Sequence, residues 1–319
     1  MRRTSTIDAT WPGGRGAGTV LTGRARDLRT PAEGEPRVVA EASMRVNVGT
    51  DRRITEVVTD PGAPGTAALV GGPSQSGYRA LLAGAVPGEI TAATPLHLLL
   101  DDVPGAALVS GVAFRCWHGG PVPAVPVDRS RLPREGACIG YQPGSSALEP
   151  EEHLRWTRRT ARADEVDSGE DAMAWHPLRI LREPSLRRSR RIDVWTAGDT
   201  VHVDAFFQDA AALPGGGRQV VHEYTLTAEA DRATGILRAL TPVPRVLPHH
   251  ECPLAVVTAA RVVGLPLAGL RPAVLRELRG TAGCTHLNDT LRALADVPAL
   301  AETLTGTAGG RRPGSEGEA

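Results

Sequence analysis

Gln219-Val220-Val221-His222-Glu223-Tyr224-Thr225-Leu226 and Arg37-Val38-Val39-Ala40-Glu41-Ala42-Ser43-Met44 share one pattern, apolar and polar side chains alternating as in a half-buried strand. Around them, segments of the first hundred residues recur in the same order roughly 180 to 195 positions later. Ile54 falls opposite Ile236. Ala67-Ala68-Leu69-Val70-Gly71-Gly72 runs into Gly77-Tyr78-Arg79 with the spacing by which Ala259-Ala260-Arg261-Val262-Val263-Gly264 runs into Gly269-Leu270-Arg271. Asp102-Val103-Pro104 is answered by Asp296-Val297-Pro298. Short Ala, Val and Gly strings recur by chance, but four matches in one order point to a duplication. The expected fold is therefore α+β, two duplicated domains, each an antiparallel β-meander followed by packed helices. Residues 1–118 read as a degenerate N-terminal repeat, 119–185 as a Pro- and Arg-rich connector, 186–305 as the C-terminal repeat and 306–319 as a disordered tail.

In the second half, Thr200 to Phe207 alternates as a strand, and Pro214-Gly215-Gly216-Gly217 signals a turn. Strands over Gln219 to Ala230 and Ile236 to Leu240 complete a meander. Pro253 suits a first helical position, which makes Cys252 the N-cap of a helix through Val263 that ends at Gly264 and Pro266. Further helices are expected over Arg271 to Arg279 and over His286 to Ala295, the latter capped by Thr285. Ala107 to Phe114 reads as strand-like, with Cys116 after it a buried structural cysteine. Arg187-Arg188-Ser189-Arg190-Arg191 reads as a solvated entry to a strand, the alternative being a site for an acidic group. Trp156 and Trp175 are candidate anchors of the connector, and Cys138 lies in a Gly-rich loop without phosphate-loop spacing.

Composition excludes several chemistries. All 36 Lys and Arg residues are Arg, so no Schiff-base, P-loop or general-base lysine exists. The 36 acids cancel them, so no net field draws the chain to nucleic acid or an anionic membrane. No apolar run reaches the length of a membrane span, and the first residues lack a signal-peptide core, which gives a cytoplasmic expectation. Four cysteines in 319 residues are too sparse for a disulfide scaffold, leaving metal binding or catalysis as their chemical roles.

Two of those thiols lie in mirror-image clusters, His249-His250-Glu251-Cys252-Pro253 and Gly283-Cys284-Thr285-His286-Leu287, and only the second repeat carries them. Sulfur and imidazole nitrogen form a zinc donor set, which makes His250, Cys252, Cys284 and His286 candidate ligands and zinc the candidate cofactor. His222 competes for one imidazole place, because Ala40 holds its position in the first repeat. A metal-free reading makes one Cys a nucleophile and His286, His250 or His222 its base, oriented by Glu251, Glu223 or Asp289. Placement of both thiols at helix N-termini favours the thiolate in either case. A third reading has the thiols as small buried packing residues.

The Arg190-Arg191-Ile192-Asp193-Val194-Trp195 strand, the strand from Thr200 to Asp209, Cys252-Pro253 and the closing Gly283-Cys284-Thr285-His286-Leu287 resemble a bacterial domain-of-unknown-function family across the second half. That family's pattern has an Arg-led first strand, a strand His, a lone Cys before a helix and a closing Gly-Cys-Thr-His-Leu. The resemblance implies His222, Cys252, Cys284 and His286 as its site residues and moves the ligand choice from His250 to His222. The functional expectation is a cytoplasmic enzyme of small-molecule metabolism, a lyase, cyclase or acyl-handling enzyme. The alternative is a non-enzymatic zinc-binding or accessory protein. The expected partner is a small-molecule substrate, with neither nucleic acid nor membrane; the sequence sets no oligomeric state.

Overall fold

The computed structural model describes residues 1–119, 135–149, 159–167 and 169–305. The expected tail and Trp156 lie outside them. Strands β1 (Arg2–Thr10), β2 (Thr19–Arg29), β3 (Arg37–Val48) and β4 (Ile54–Asp60) form a meander, followed by helices α1 (Tyr78–Ala85), α2 (Pro87–Thr91), α3 (Pro95–Val109) and α4 (Val112–His118). After the short strand β5 (Ala161–Ala163) comes a second meander, β6 (Leu186–Ala197), β7 (Thr200–Ala212), β8 (Arg218–Asp231) and β9 (Leu237–Val246). Its helices are α5 (Ala255–Ala259), α6 (Leu270–Glu277), α7 (Thr285–Ala293) and α8 (Val297–Thr305). All nine strands belong to one antiparallel sheet in the order β4-β3-β2-β1-β6-β7-β8-β5, with β9 also on β8.

The halves therefore join edge to edge through β1 and β6. Ser5 pairs with Arg190 at the middle of this seam, and on either side Arg2 faces Asp193 while Asp8 faces Arg187. Both are forked ion pairs, with Nε to Oδ1 at 2.6 Å in each. The ladders break at corresponding places, between Asp27 and Leu28 in β2 and between Asp209 and Ala210 in β7. Asn47/Val48 on β3 and Glu229/Ala230 on β8 make a second such pair.

The apolar core forms two clusters, one mainly of the first half (Leu21, Met44, Leu82, Leu99) that also takes in Leu186, Ala211 and Val221, the other mainly of the second (Phe207, Leu226, Leu270, Leu291) that also takes in Met1 and Leu98. Between them the helices meet across buried ions. Arg3 reaches Asp296 at 2.9 Å, Arg190 reaches Asp102 at 2.8 Å, Arg292 reaches Asp101 at 2.6 Å and Arg79 reaches Asp289 at 2.7 Å, each pair crossing from one half to the other. Such pairs return little net stability after desolvation, but they tolerate no mismatch, so they fix how the halves dock.

Two expectations are corrected here. Arg187, Arg188 and Arg190 are each 1% exposed rather than solvated, since Asp8, Asp209, Asp289 and Asp102 neutralise them. Ala107 to Phe114 is helical, the end of α3 and the start of α4. A helix buried on nearly every side carries no polar stripe, so its sequence shows no 3.6-residue period. Cys116 is buried in α4 as expected.

The sheet's other face is covered near the seam by the connector. Trp175 is buried against Phe206, with ring centroids 6.2 Å apart. His176 bridges the Thr4 and Thr6 hydroxyls at 2.9 and 2.8 Å, using both ring nitrogens. Burial first, and the nearby Arg26 second, depress its pKa to about 3, so it is neutral.

Candidate functional site

The site is a cross-strand row on the helix-covered face of the sheet. Arg188 on β6 pairs with Asp209 on β7, which pairs with His222 on β8. The break after Asp209 lies beside this row. Arg188 grips Asp209 with Nε and Nη2 at 2.9 and 3.0 Å and gives Nη1 to Asp289 at 2.9 Å. Burial works to raise the Asp209 pKa, but the Arg188 charge outweighs it and holds the carboxyl well below its ordinary range.

From above, α7 lowers His286 onto this row. His222 Nδ1 lies 3.4 Å from Asp209 Oδ2 and His286 Nε2 lies 3.6 Å from the same oxygen. The two rings stack with centroids 3.4 Å apart and 16° between planes. Neither nitrogen has a hydrogen-bond partner among the described residues, although both are buried atoms. Separations of 3.4 and 3.6 Å exceed the usual N–H···O range. They match the edge of about 3.4 Å expected between two ligands of a tetrahedral ion with bonds near 2.1 Å. Burial, opposed for His222 by Asp209 and reinforced for His286 by His222, lowers both imidazole pKa values, leaving neutral rings able to act as ligands.

Asp209, His222 and His286 form a group of potential ligand atoms all within 4.8 Å of one another. The expected set is thus only partly brought together. Cys284 is itself the N-cap residue of α7, in place of Thr285, and its Sγ stands 3.9 Å from His286 Nδ1, on the far side of that ring from Asp209. Cys252 begins a 3-10 turn, Cys252–Leu254, and packs against the Gly136–Tyr141 loop. A Cβ on Gly140 would lie 2.9 Å from its Sγ, so glycine there admits the Cys252 sulfur, and Cys138 Sγ lies close by, 3.8 Å from the same point. His250 is exposed, contacts Arg159 and does not join the cluster. The expected orienting acids are engaged elsewhere, Glu251 by Ser146, Glu223 by Gln208 and Asp289 by Arg79 and Arg188.

The helix-end argument for thiolates is outweighed. Burial, the largest influence, pushes the Cys252 and Cys284 thiols up, and the Cys138 thiol to about 11. Asp209 is the residue of this group that the sequence reading did not name. Its signal was register: it stands opposite His222 as Asp27 stands opposite Ala40.

This arrangement falls within residues 186–300, which match the model of a family described as a protein of unknown function (DUF2889). No curated protein and no solved structure matches the chain. No single helix among the described residues is long and apolar enough to cross a membrane.

Proposed function

We propose that Asp209, His222 and His286 hold one divalent metal ion, zinc in the first instance, and that the protein is a cytoplasmic enzyme acting on a small molecule through it. The observation that carries this is the convergence of two buried, unpartnered imidazole nitrogens on one ionised carboxylate oxygen. Leaving such nitrogens unsatisfied is costly, and a cation satisfies both. Asp209, His222 and His286 would hold the ion, which would supply a Lewis acid on the helix-covered face of the sheet. Three protein ligands leave a position for water or substrate, the pattern of a catalytic rather than a structural site. Cys284 beside His286 Nδ1 and Arg188 on Asp209 are the partners that orient these ligands.

A second reading rests on the same side chains in line: Cys284 Sγ 3.9 Å from His286 Nδ1, and His286 Nε2 3.6 Å from Asp209. This is the order of nucleophile, base and orienting acid. We further infer that the halves are copies of one unit, supported by the paired ladder breaks and the reciprocal Arg2–Asp193 and Arg187–Asp8 pairs. The first copy, with Ala40 in place of the histidine, then serves as support.

Elemental analysis of the purified protein decides between the readings. One equivalent of metal is expected. His222→Ala and His286→Ala lose more affinity than the roughly 10- to 100-fold that removal of an orienting partner costs, whereas Cys284→Ala stays within that range. Protein that takes up neither Zn2+ nor Fe2+ nor Mn2+ sinks the metal reading; the thiol reading then requires an acyl adduct on Cys284 after treatment with an activated ester.

A further inference from the structure

Arg188 points to the helix-covered face of the sheet, so Arg187 beside it in β6 points to the other. There Glu165, two residues beyond β5, takes two guanidinium contacts on its Oε2 atom, from Arg187 Nη1 at 3.1 Å and from Arg218 Nε at 2.7 Å. Arg187 has a second counter-ion in Asp8, whereas Arg218 pairs with no other carboxylate among the described residues. Burial sets this pair apart. The Arg218 side chain is 1% exposed and that of Glu165 43%, while Arg187, Arg188 and Arg190 each meet an aspartate no more than 6% exposed. Burial, opposed by Glu165, lowers the Arg218 pKa, so this carboxylate does not fully compensate the buried charge.

The Arg218 fork is also half used. Arg3, Arg187 and Arg188 each grip both oxygens of an aspartate with Nε and Nη2. Arg218 offers Glu165 only Nε; its Nη1 reaches the Ala210 carbonyl at 3.4 Å, and its buried Nη2 has no hydrogen-bond partner among the described residues. A phosphate in place of the Glu165 carboxylate would take Nε and Nη2 together and spare a third oxygen for Arg187 Nη1. Glu165 itself is lightly held. Strand β5 has three residues, with Ala161 and Arg162 exposed, and pairs only with residues 218 to 220 of β8.

We propose that Arg187 and Arg218 form a binding site for the phosphate group of a small molecule, with Glu165 as a built-in competitor that leaves as phosphate enters. None of Asp209, His222 and His286 takes part, so the site stands or falls apart from the metal reading. Departure of Glu165 releases β5, and the connector is the segment that responds to binding.

Thermal midpoints of the full chain are read in EDTA at about pH 7.5 against added inorganic phosphate, with chloride holding ionic strength constant. Glu165→Gln is expected to melt lower than the unsubstituted chain and to regain the loss saturably as phosphate is added. The unsubstituted chain reaches its half-effect at about tenfold more phosphate, because only molecules with Glu165 displaced can bind. A double variant, Glu165→Gln with Arg218→Gln, removes both charges and gives no response. Acetate restores less than phosphate at equal concentration. Hydrogen exchange needs no variant: the Ala161–Ala163 amides of the unsubstituted chain exchange faster when phosphate is present. Failure of phosphate to restore Glu165→Gln, equal recovery in the double variant, equal half-effects with and without Glu165, acetate matching phosphate, or unchanged exchange in β5 each overturns the proposal.

Discussion

Gly105→Ala should destabilise the protein by about 3–5 kcal/mol, the cost typical of breaking a buried ion pair. Alanine is the better helix former by about 1 kcal/mol, so an ordinary helical glycine would give the opposite sign. At this position in α3 a Cβ would lie 2.7 Å from Arg188 Cζ and closer still to Arg188 Nη1 and Asp289 Oδ2. There is no space to yield. The guanidinium is held on Asp209, and moving it strands Asp209 as a buried charge and leaves Asp289 to Arg79 alone. Gly84→Ala in α1 is the control, since nothing lies within 4 Å of the added carbon; there the variant should gain up to about 1 kcal/mol. Denaturant midpoints of the two variants check this, and equal or same-sign shifts would refute the steric account. The test also asks whether a helix of the first half supports a site in the second.

Acid should weaken the fold well before carboxylates protonate. Burial, then Arg271, depresses the His97 pKa to about 4, and burial, then Arg26, that of His176 to about 3; burial also lowers His222 and His286. A depressed folded-state pKa means that the unfolded chain binds protons first. The stabilisation is therefore complete above the unfolded value of about 6.5 and is lost as pH falls from there towards the folded values. For His97 and His176 the differences correspond to losses on the order of 3 and 5 kcal/mol at full titration. Asp101 and Asp209, held below their ordinary range against the pull of burial by Arg292 and Arg188 respectively, extend the loss below about pH 4. Unfolding free energies in EDTA at about pH 7.5, 6, 5 and 4.5 should fall steadily, and His176→Gln should flatten the slope. A flat profile between pH 7 and 5 would show that these rings are solvated enough to charge in the native state.

Why some of this was legible in the chain and some was not follows from where each residue's partner lies. The meander of Thr200 to Ala212, Arg218 to Asp231 and Leu237 to Val246 shows in the sequence because alternation is a local consequence of one covered face. Helix starts near Cys252, Leu270 and Cys284 are local too, marked by Pro253, by Gly269 and by the Cys284-Thr285 step. The fate of Arg187, Arg188 and Arg190 is not local. Their neutralising acids come from 21 residues away for Asp209 to 179 for Asp8, and a run of arginines carries no mark of them. The site divides in the same way. His222 and His286 could be named from residue type and position, whereas Asp209 became part of the site only through the register that sets it opposite His222. Cys252 lies near Cys284, as their sequence clusters suggest, but also near Cys138 of the connector, which no spacing rule links to either.

The seam between β1 and β6 also bears on how the chain reaches this structure. Strand β1 is central in the sheet, but one of its two partners is made more than 170 residues later. Until β6 emerges, a growing chain that has closed the first meander holds β1 as an open edge, with unpaired peptide groups and with Arg2 and Asp8 unmatched. Such an edge is a template for strands from other chains. Pairing across so long a loop is expected to be slower than closing either meander, and a chain arrested ahead of residue 186 should aggregate more readily than the full chain, which light scattering of the two would check.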